Sequence, residues 1–208
     1  MKKLDLRGSV GTWVSIPSAH VMEVLASSSI SFLVIDLEHS DIELPMVTQM
    51  IRAAELFDKP TLVRITGRHI DQVRRVLDLG AQGLVIPNVV HLSDVEQVLK
   101  ATFYPPKGGR GVALTRASTY GEGFEEYYRN ANDRLTVIFQ VESVLAIQNL
   151  DGLVDPEYVD GIMVGPYDLS ASLGIPGQFT DPRYIDAVDQ IGQKCREKNI
   201  PLGYHQVA

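Results

Sequence analysis

A single cysteine, Cys195, is all this sequence contains, so no disulfide can close within the chain. That leaves a reducing compartment open to it. Also missing is any apolar run as long as a bilayer span, and none follows Met1-Lys2-Lys3 as a secretion signal would. Positive charge is the minority: 19 Lys and Arg stand against 26 Asp and Glu, a formal net charge of -7. Nucleic acids and anionic membranes both select clustered Lys and Arg, so neither is an expected partner. The densest basic stretches, residues 64–75 and 107–116, are short and interleaved with acids or glycines. They read as anion-binding positions rather than a polyanion track. Low-complexity segments and an interdomain linker are absent too. The expectation is a soluble, cytoplasmic, single-domain protein over residues 1–208.

What is present is an alternation kept up along the whole chain. Short apolar runs predict strands at 9–16, 32–37, 61–65, 83–87, 136–141, 160–165 and 201–204. Helical spacing predicts helices at 19–27, 44–57, 70–79, 93–101 and 184–198. Strands apolar on both faces and separated by helices imply an α/β fold with a parallel, helix-covered sheet. A (β/α)₈ TIM-type barrel and an open doubly wound sheet both satisfy this pattern. Polar residues follow the second, third, fifth and sixth strands, and a barrel gathers such distant strand ends on one face. The barrel is therefore the expected fold. Barrels commonly run to about 250 residues, and only seven units are visible here. The eighth strand and C-terminal helix are expected to be lacking, either through truncation or because something outside the chain closes the gap. The longest irregular connection, 102–123, is expected to lie over the mouth of a site.

The stretch 159–174 is the most suggestive. Apolar Gly161, Ile162, Met163 and Val164 end at Gly165-Pro166, and Asp168 stands where a short helix can begin. A carboxylate at the end of a buried strand is a ligand or a cap, because apolar side chains fill a core better. N–H groups of Tyr167 and Asp168 at that helix start suit carboxylate or phosphate oxygens. In Phe139-Gln-Val-Glu142, strand alternation points Gln140 and Glu142 the same way. They form either a self-satisfied polar pair or, for Glu142 with Asp168, two carboxylates on one divalent cation. Oxygen-only ligation suits Mg²⁺ or Mn²⁺.

In Val34-Ile-Asp-Leu-Glu-His-Ser40, His39 beside Asp36 and Glu38 can be an acid–base group near neutral pH, or part of a capping loop. Arg64, between Val63 and Ile65, needs an anion. Substrate oxygens and a salt bridge to Asp36 or Glu38 both qualify. Trp13 is a pocket wall or a core residue. His20, His69, His91 and His205 read as surface or loop, and Cys195 as structural. Arg110 and Arg116 could meet an anion, with at least one expected on the solvated surface.

Taken in order, Gly-Thr-Trp (11–13), Ile-Asp-Leu-Glu-His (35–39), Val-Arg (63–64), Tyr-Pro-Pro-Lys-Gly-Gly-Arg-Gly (104–111), Gln-Val-Glu (140–142) and Gly-Pro-Tyr-Asp-Leu-Ser (165–170) form a series. It resembles the HpcH/HpaI aldolases, the metal-dependent class II pyruvate aldolases. Each motif alone is weak; their order is specific. The resemblance implies a modified (β/α)₈ barrel that cleaves or forms 4-hydroxy-2-oxo acids, to or from pyruvate and an aldehyde, through an enolate stabilised by the metal. It implies that Glu142 and Asp168 bind the metal (Mg²⁺ or Mn²⁺, with Co²⁺ also admitted) and that Gln140 meets the oxo acid or a metal-bound water. Arg64 is placed against the pyruvate oxygens, and Asp36 with His39 as the acid–base pair, backed by Glu38. Tyr167 and Asp168 N–H groups take the carboxylate, and Trp13 lines the substrate pocket. A homo-oligomer is implied as well. Tyr167 departs from the smaller Ala or Asn expected there, so its ring either narrows the aldehyde side or reaches solvent. The alternatives are a related lyase acting on an acyl-CoA or another oxo acid, and a non-catalytic oxo-acid-binding relative.

Overall fold

The computed structural model describes residues 3–206, in which seven parallel strands alternate with helices. The fold is that of a TIM-type (β/α) barrel with no closing eighth strand among the described residues. The chain divides into two compact units, residues up to Val85 with Gln97–Thr136, and Ile86–Glu96 with residues from Val137 onward. No described helix is long and apolar enough to cross a membrane.

In the first unit β1 (Gly11–Val14), β2 (Phe32–Asp36), β3 (Thr61–Arg64) and β4 (Gly83–Ile86) pair in parallel. Leu33, Val34 and Ile35 are buried in succession, as are Leu62 with Val63 and Leu84 with Val85. Neighbouring residues point to opposite faces, so both faces of these strands are covered, and the sequence shows unbroken apolar runs instead of alternation. The covering helices begin where local chemistry starts them. Ser18 accepts the Val21 N–H at 3.3 Å to cap α1 (Ala19–Ala26), and Pro45 opens α2 (Leu44–Glu55). Val47, Met50, Ile51 and Ala54 face inward from α2, as Val73, Val76 and Leu77 do from α3 (Ile70–Asp78). Gly83 permits a close approach: a methyl group there would lie 2.1 Å from the Thr136 carbonyl oxygen.

After α4 (Leu92–Thr102) the expected long irregular connection holds a short 3₁₀ segment, Arg116–Gly121, and leads into α5 (Phe124–Arg134). α5 was not among the expected helices: its inward stripe, Phe124, Tyr127, Tyr128 and Ala131, has helical spacing but is aromatic and only half-buried, with Ala131 its one buried residue. Much of the connection is exposed, but two buried or half-buried arginines tie it away from the strand C-termini of its unit. Arg110 is 2% exposed, pairs with Asp78 at 2.6 Å, and lies 4.7 Å from the centre of the Tyr104 ring. Burial pushes the Tyr104 phenol up to about 12. Arg116 pairs with Glu55 and donates to the Leu79 carbonyl at 2.8 Å. Glu55, Asp78 and Leu79 stand at the C-terminal ends of α2 and α3, which return the chain to the strand N-termini. Two expectations are corrected: the loop is anchored at the far end of its unit from the strand C-termini, and neither arginine is a solvated surface group. A guanidinium this enclosed needs a carboxylate, and helix C-termini also favour cations.

In the second unit β5 (Thr136–Val141), β6 (Gly161–Val164) and β7 (Leu202–Tyr204) pair in parallel. The Asp160 carboxylate accepts the Val137 N–H at 2.9 Å and fixes the start of that pairing. Ser143 caps α6 (Val144–Gln148), which is followed by α7 (Leu150–Leu153) and, after β6, by α8 (Pro166–Ser172). Asp181 caps α9 (Pro182–Glu197), which buries Tyr184, Ala187, Ile191 and Cys195. Burial pushes the Cys195 thiol up to about 11, which keeps it an unreactive core residue as read from sequence. His20, His69, His91 and His205 are all exposed.

Candidate active site

In the first unit the polar residues foreseen at the ends of the second and third strands do meet. Asp36 closes β2, Arg64 closes β3, and the two are direct register partners. Arg64 donates from Nε to Asp36 Oδ1 at 2.8 Å and from Nη2 to Oδ2 at 2.6 Å, a two-point grip. Its Nη1 lies 3.3 Å from Glu38 Oε2, and its guanidinium sits over Trp13, 4.4 Å from the ring centre. One cation is thus held by two carboxylates and an aromatic face. Asp36 Oδ1 also accepts the backbone N–H groups of Glu38 at 3.0 Å and His39 at 3.3 Å, which shapes the loop after β2. Burial pulls the Asp36 carboxyl upward, but the Arg64 hydrogen bond and charge, with those two N–H groups, hold it below the usual carboxylate range. Asp36 is therefore a fixed anion at neutral pH.

The His39 imidazole is 69% exposed, and its Nε2 lies 3.9 Å from Glu38 Oε2. Its side-chain neighbour is Glu38; its tie to Asp36 runs through its own backbone N–H. Such an imidazole is open to solvent.

In the second unit the site is built on the β5–β6 register. Gln140 lies opposite Met163 and Val141 opposite Val164, so Glu142, one residue on, comes against Gly165. Gln140 and Glu142 are each only 4% exposed. Gln140 Nε2 donates to Glu142 Oε2, while the Asn88 N–H donates to Oε1 at 2.7 Å. A side chain at position 165 is excluded, since a methyl there would meet Glu142 Oε2 at 2.4 Å and Gln140 Nε2 at 2.9 Å. The carboxylate packs close against the bare backbone of Gly165. Asp168 is in the first turn of α8 and exposed, and no side chain caps that helix start at Gly165. The Tyr167 ring is turned edge-on to Phe179, with centroids 5.2 Å apart, and remains half exposed.

Glu142, Asp168 and Gln140 offer only oxygen donors, the kind a hard divalent cation takes. Gln140 Oε1 is buried with no hydrogen-bond partner, which leaves an acceptor waiting for a water or a ligand hydroxyl. Among the described residues no group of three or more His, Cys, Asp or Glu could hold a metal.

Two residues of this site were not singled out for it in the sequence. Asn88 follows β4 in Ile-Pro-Asn-Val, where nothing but asparagine's tolerance of left-handed backbone marks it. Gly165 reads only as a strand stop. Each acts through its backbone, which motif reading does not see.

Residues 9–204 match the HpcH/HpaI aldolase/citrate lyase family. The 2-keto-3-deoxy-L-rhamnonate aldolase of Escherichia coli K12 is 35% identical over 201 residues, which is 96% of this chain and 75% of that protein. The crystal structure of a HpcH/HpaI aldolase/citrate lyase family protein from Burkholderia cenocepacia J2315 superposes with a TM-score of 0.88. It is 31% identical, with 94% of this chain and 79% of that one covered. The citrate synthase SbnG superposes with a TM-score of 0.85 at 31% identity, over 96% of this chain and 78% of that one. With the family match over residues 9–204 and the superposed strands in agreement, the chain belongs to the HpcH/HpaI aldolase/citrate lyase family, enzymes of the class II aldehyde-lyase type that generally depend on a divalent metal.

Proposed function

We propose that this protein is a divalent-metal-dependent aldolase that cleaves or forms 4-hydroxy-2-oxo acids, to or from pyruvate and an aldehyde. The carrying observation is the buried Glu142 carboxylate, held by Asn88 and Gln140 beside an amide oxygen that has no partner. Glu142 and Asp168 hold Mg²⁺ or Mn²⁺ in this reading. The cation, when bound, supplies Lewis-acid stabilisation of negative charge on the oxo-acid oxygens.

The chain's own residues do the rest. N–H groups of Tyr167 and Asp168 at the start of α8 take the 1-carboxylate. Gln140 Oε1 accepts from a ligand hydroxyl or water, and Trp13 flanks the substrate. His39, with Glu38 beside it, takes the 4-hydroxyl proton, directly or through a water. The hydroxyl oxygen then forms the aldehyde carbonyl, the C3–C4 bond breaks, and its electron pair moves into the C2–C3 enolate. Protonation at C3 gives pyruvate. Arg64, whose guanidinium is held rigidly by Asp36 and Glu38, is the residue this reading assigns to the pyruvate oxygens. No lysine ends any of the seven strands, so a Schiff base has no candidate nucleophile there.

The test is pyruvate release from a 4-hydroxy-2-oxo acid. Activity with Mg²⁺ or Mn²⁺, lost in chelator and restored by metal, is the expected result. Turnover in chelator, with borohydride trapping a pyruvate adduct on the protein, would overturn it. The likeness to a citrate synthase favours one second reading, the same enolate chemistry on another oxo acid or an acyl-CoA. Binding of free CoA but not pyruvate would select it. We further propose a homo-oligomer in the cytoplasm, for which the mass in solution is the first check.

A further inference from the structure

We infer that Asn88 is a positioning residue for the metal site, acting through its main chain: its left-handed conformation holds an N–H on Glu142 and so aims that carboxylate. This rests on Glu142 being a metal ligand, as proposed above. The residues lie within one compact unit. Strand β4 ends at Ile86, Pro87 follows, and Asn88 has φ 53, a conformation costly for most L-residues but tolerated by asparagine. Its amide donates to Glu142 Oε1 at 2.7 Å across 54 residues of sequence. Val89, the next residue, is 1% exposed and pinned in the core. The left-handed turn lets the chain bend away towards α4 while the Asn88 amide stays on the carboxylate.

A carboxylate offers about four lone-pair sites. Asn88 takes one on Oε1 and Gln140 one on Oε2, and Gly165 leaves clear the flank that any side chain there would crowd. The donors sit on different oxygens, so together they fix the carboxylate plane as well as its position. A hydrogen bond to an ionised acceptor is the stronger kind, and outer partners of this sort commonly change metal affinity by about 10- to 100-fold when lost. The donor to Glu142 is the main-chain amide, so the aiming assigned to Asn88 is that of its local backbone.

Mn²⁺ affinity, read from the electron paramagnetic resonance signal of free Mn²⁺ without substrate or turnover, tests this. The variants are Asn88→Gly, Asn88→Ala and Asn88→Val, an order of falling tolerance for left-handed backbone. Expected are an affinity close to wild type for Asn88→Gly, a loss for Asn88→Ala, and a larger loss of about 10- to 100-fold for Asn88→Val. Thermal midpoints run alongside. Should Asn88→Val not fold, the Gly–Ala pair still decides. Equal damage in Asn88→Gly and Asn88→Ala would show that the side chain matters and overturn the assignment. Wild-type affinity in Asn88→Ala and Asn88→Val would overturn it too. Glu142→Gln in the same titration separates the two layers. Unchanged Mn²⁺ binding there defeats the metal-ligand reading itself, whereas impaired binding there with intact Asn88 variants defeats only the role of Asn88.

Discussion

Asp36 and Arg64 face each other as register partners on adjacent parallel strands, and the guanidinium holds both carboxylate oxygens, at 2.8 and 2.6 Å. With Glu38 at 3.3 Å and Trp13 beneath, Arg64 has almost no freedom left. That rigidity is what a group needs if it is to meet charge that develops only during reaction.

Replacing Arg64 by lysine keeps the charge but loses the two-point grip and the stacking on Trp13. Activity in the pyruvate-release assay should fall by about 100- to 1000-fold, mainly in kcat. Arg64→Ala should in addition destabilise the fold by about 3–5 kcal/mol, since it strands the buried Asp36 without its cation. Denaturant midpoints with an unchanged slope would confirm that second effect.

Acid should dismantle the same pair. Arg64 and the loop N–H groups hold the Asp36 carboxyl below its ordinary 3.8 in the folded state. The stabilisation this gives is complete above that value and disappears as pH falls through the lower, folded one. Unfolding free energies of wild type and Asp36→Asn, measured from neutral pH downwards, should differ most near neutrality. The gap should close only below about pH 4; a constant gap would exclude Asp36 as its source.

Gly165→Ala puts a methyl group 2.4 Å from Glu142 Oε2. The carboxylate must swing away from its two donors. Mn²⁺ affinity should drop by about 10- to 100-fold while the circular dichroism spectrum stays that of wild type. Unaltered affinity would mean that Glu142 has room that this geometry denies it.

Asp78→Ala leaves Arg110 enclosed and without its carboxylate. A loss of about 3–5 kcal/mol is expected, together with faster proteolysis within residues 103–123. Because Asp78 belongs to the anchoring of that connection and not to the site, Mn²⁺ affinity should be unchanged wherever the variant is folded.

The sequence alone determined the repeating strand–helix order and the identities of the chemically capable residues. Strands buried on both faces must be apolar along their whole length, so Phe32–Asp36 and Gly161–Val164 announce themselves, and a charged residue ending such a strand stands out. An ordered set of short motifs was enough to point to the family. α5 was passed over because its inward face, Phe124, Tyr127, Tyr128 and Ala131, is made of half-buried aromatics and one alanine rather than aliphatic residues, a weaker mark of helical period.

Tertiary structure alone decided which of several carboxylates each cation takes. Arg64 could pair with Asp36, Glu38 or a ligand, and the β2–β3 register gave it the first two. Arg110 and Arg116 were drawn to Asp78 and Glu55, 32 and 61 residues away, which moved a loop expected over the mouth to the other end of its unit. The supports of Glu142 were equally out of reach. The amide of Asn88 and the bare Cα of Gly165 are backbone features, and no side-chain pattern records where a backbone will pass. Hydrophobic period is a local property and can be read along the chain. Pairing between distant groups depends on register and close approach, which exist only once the strands have assembled.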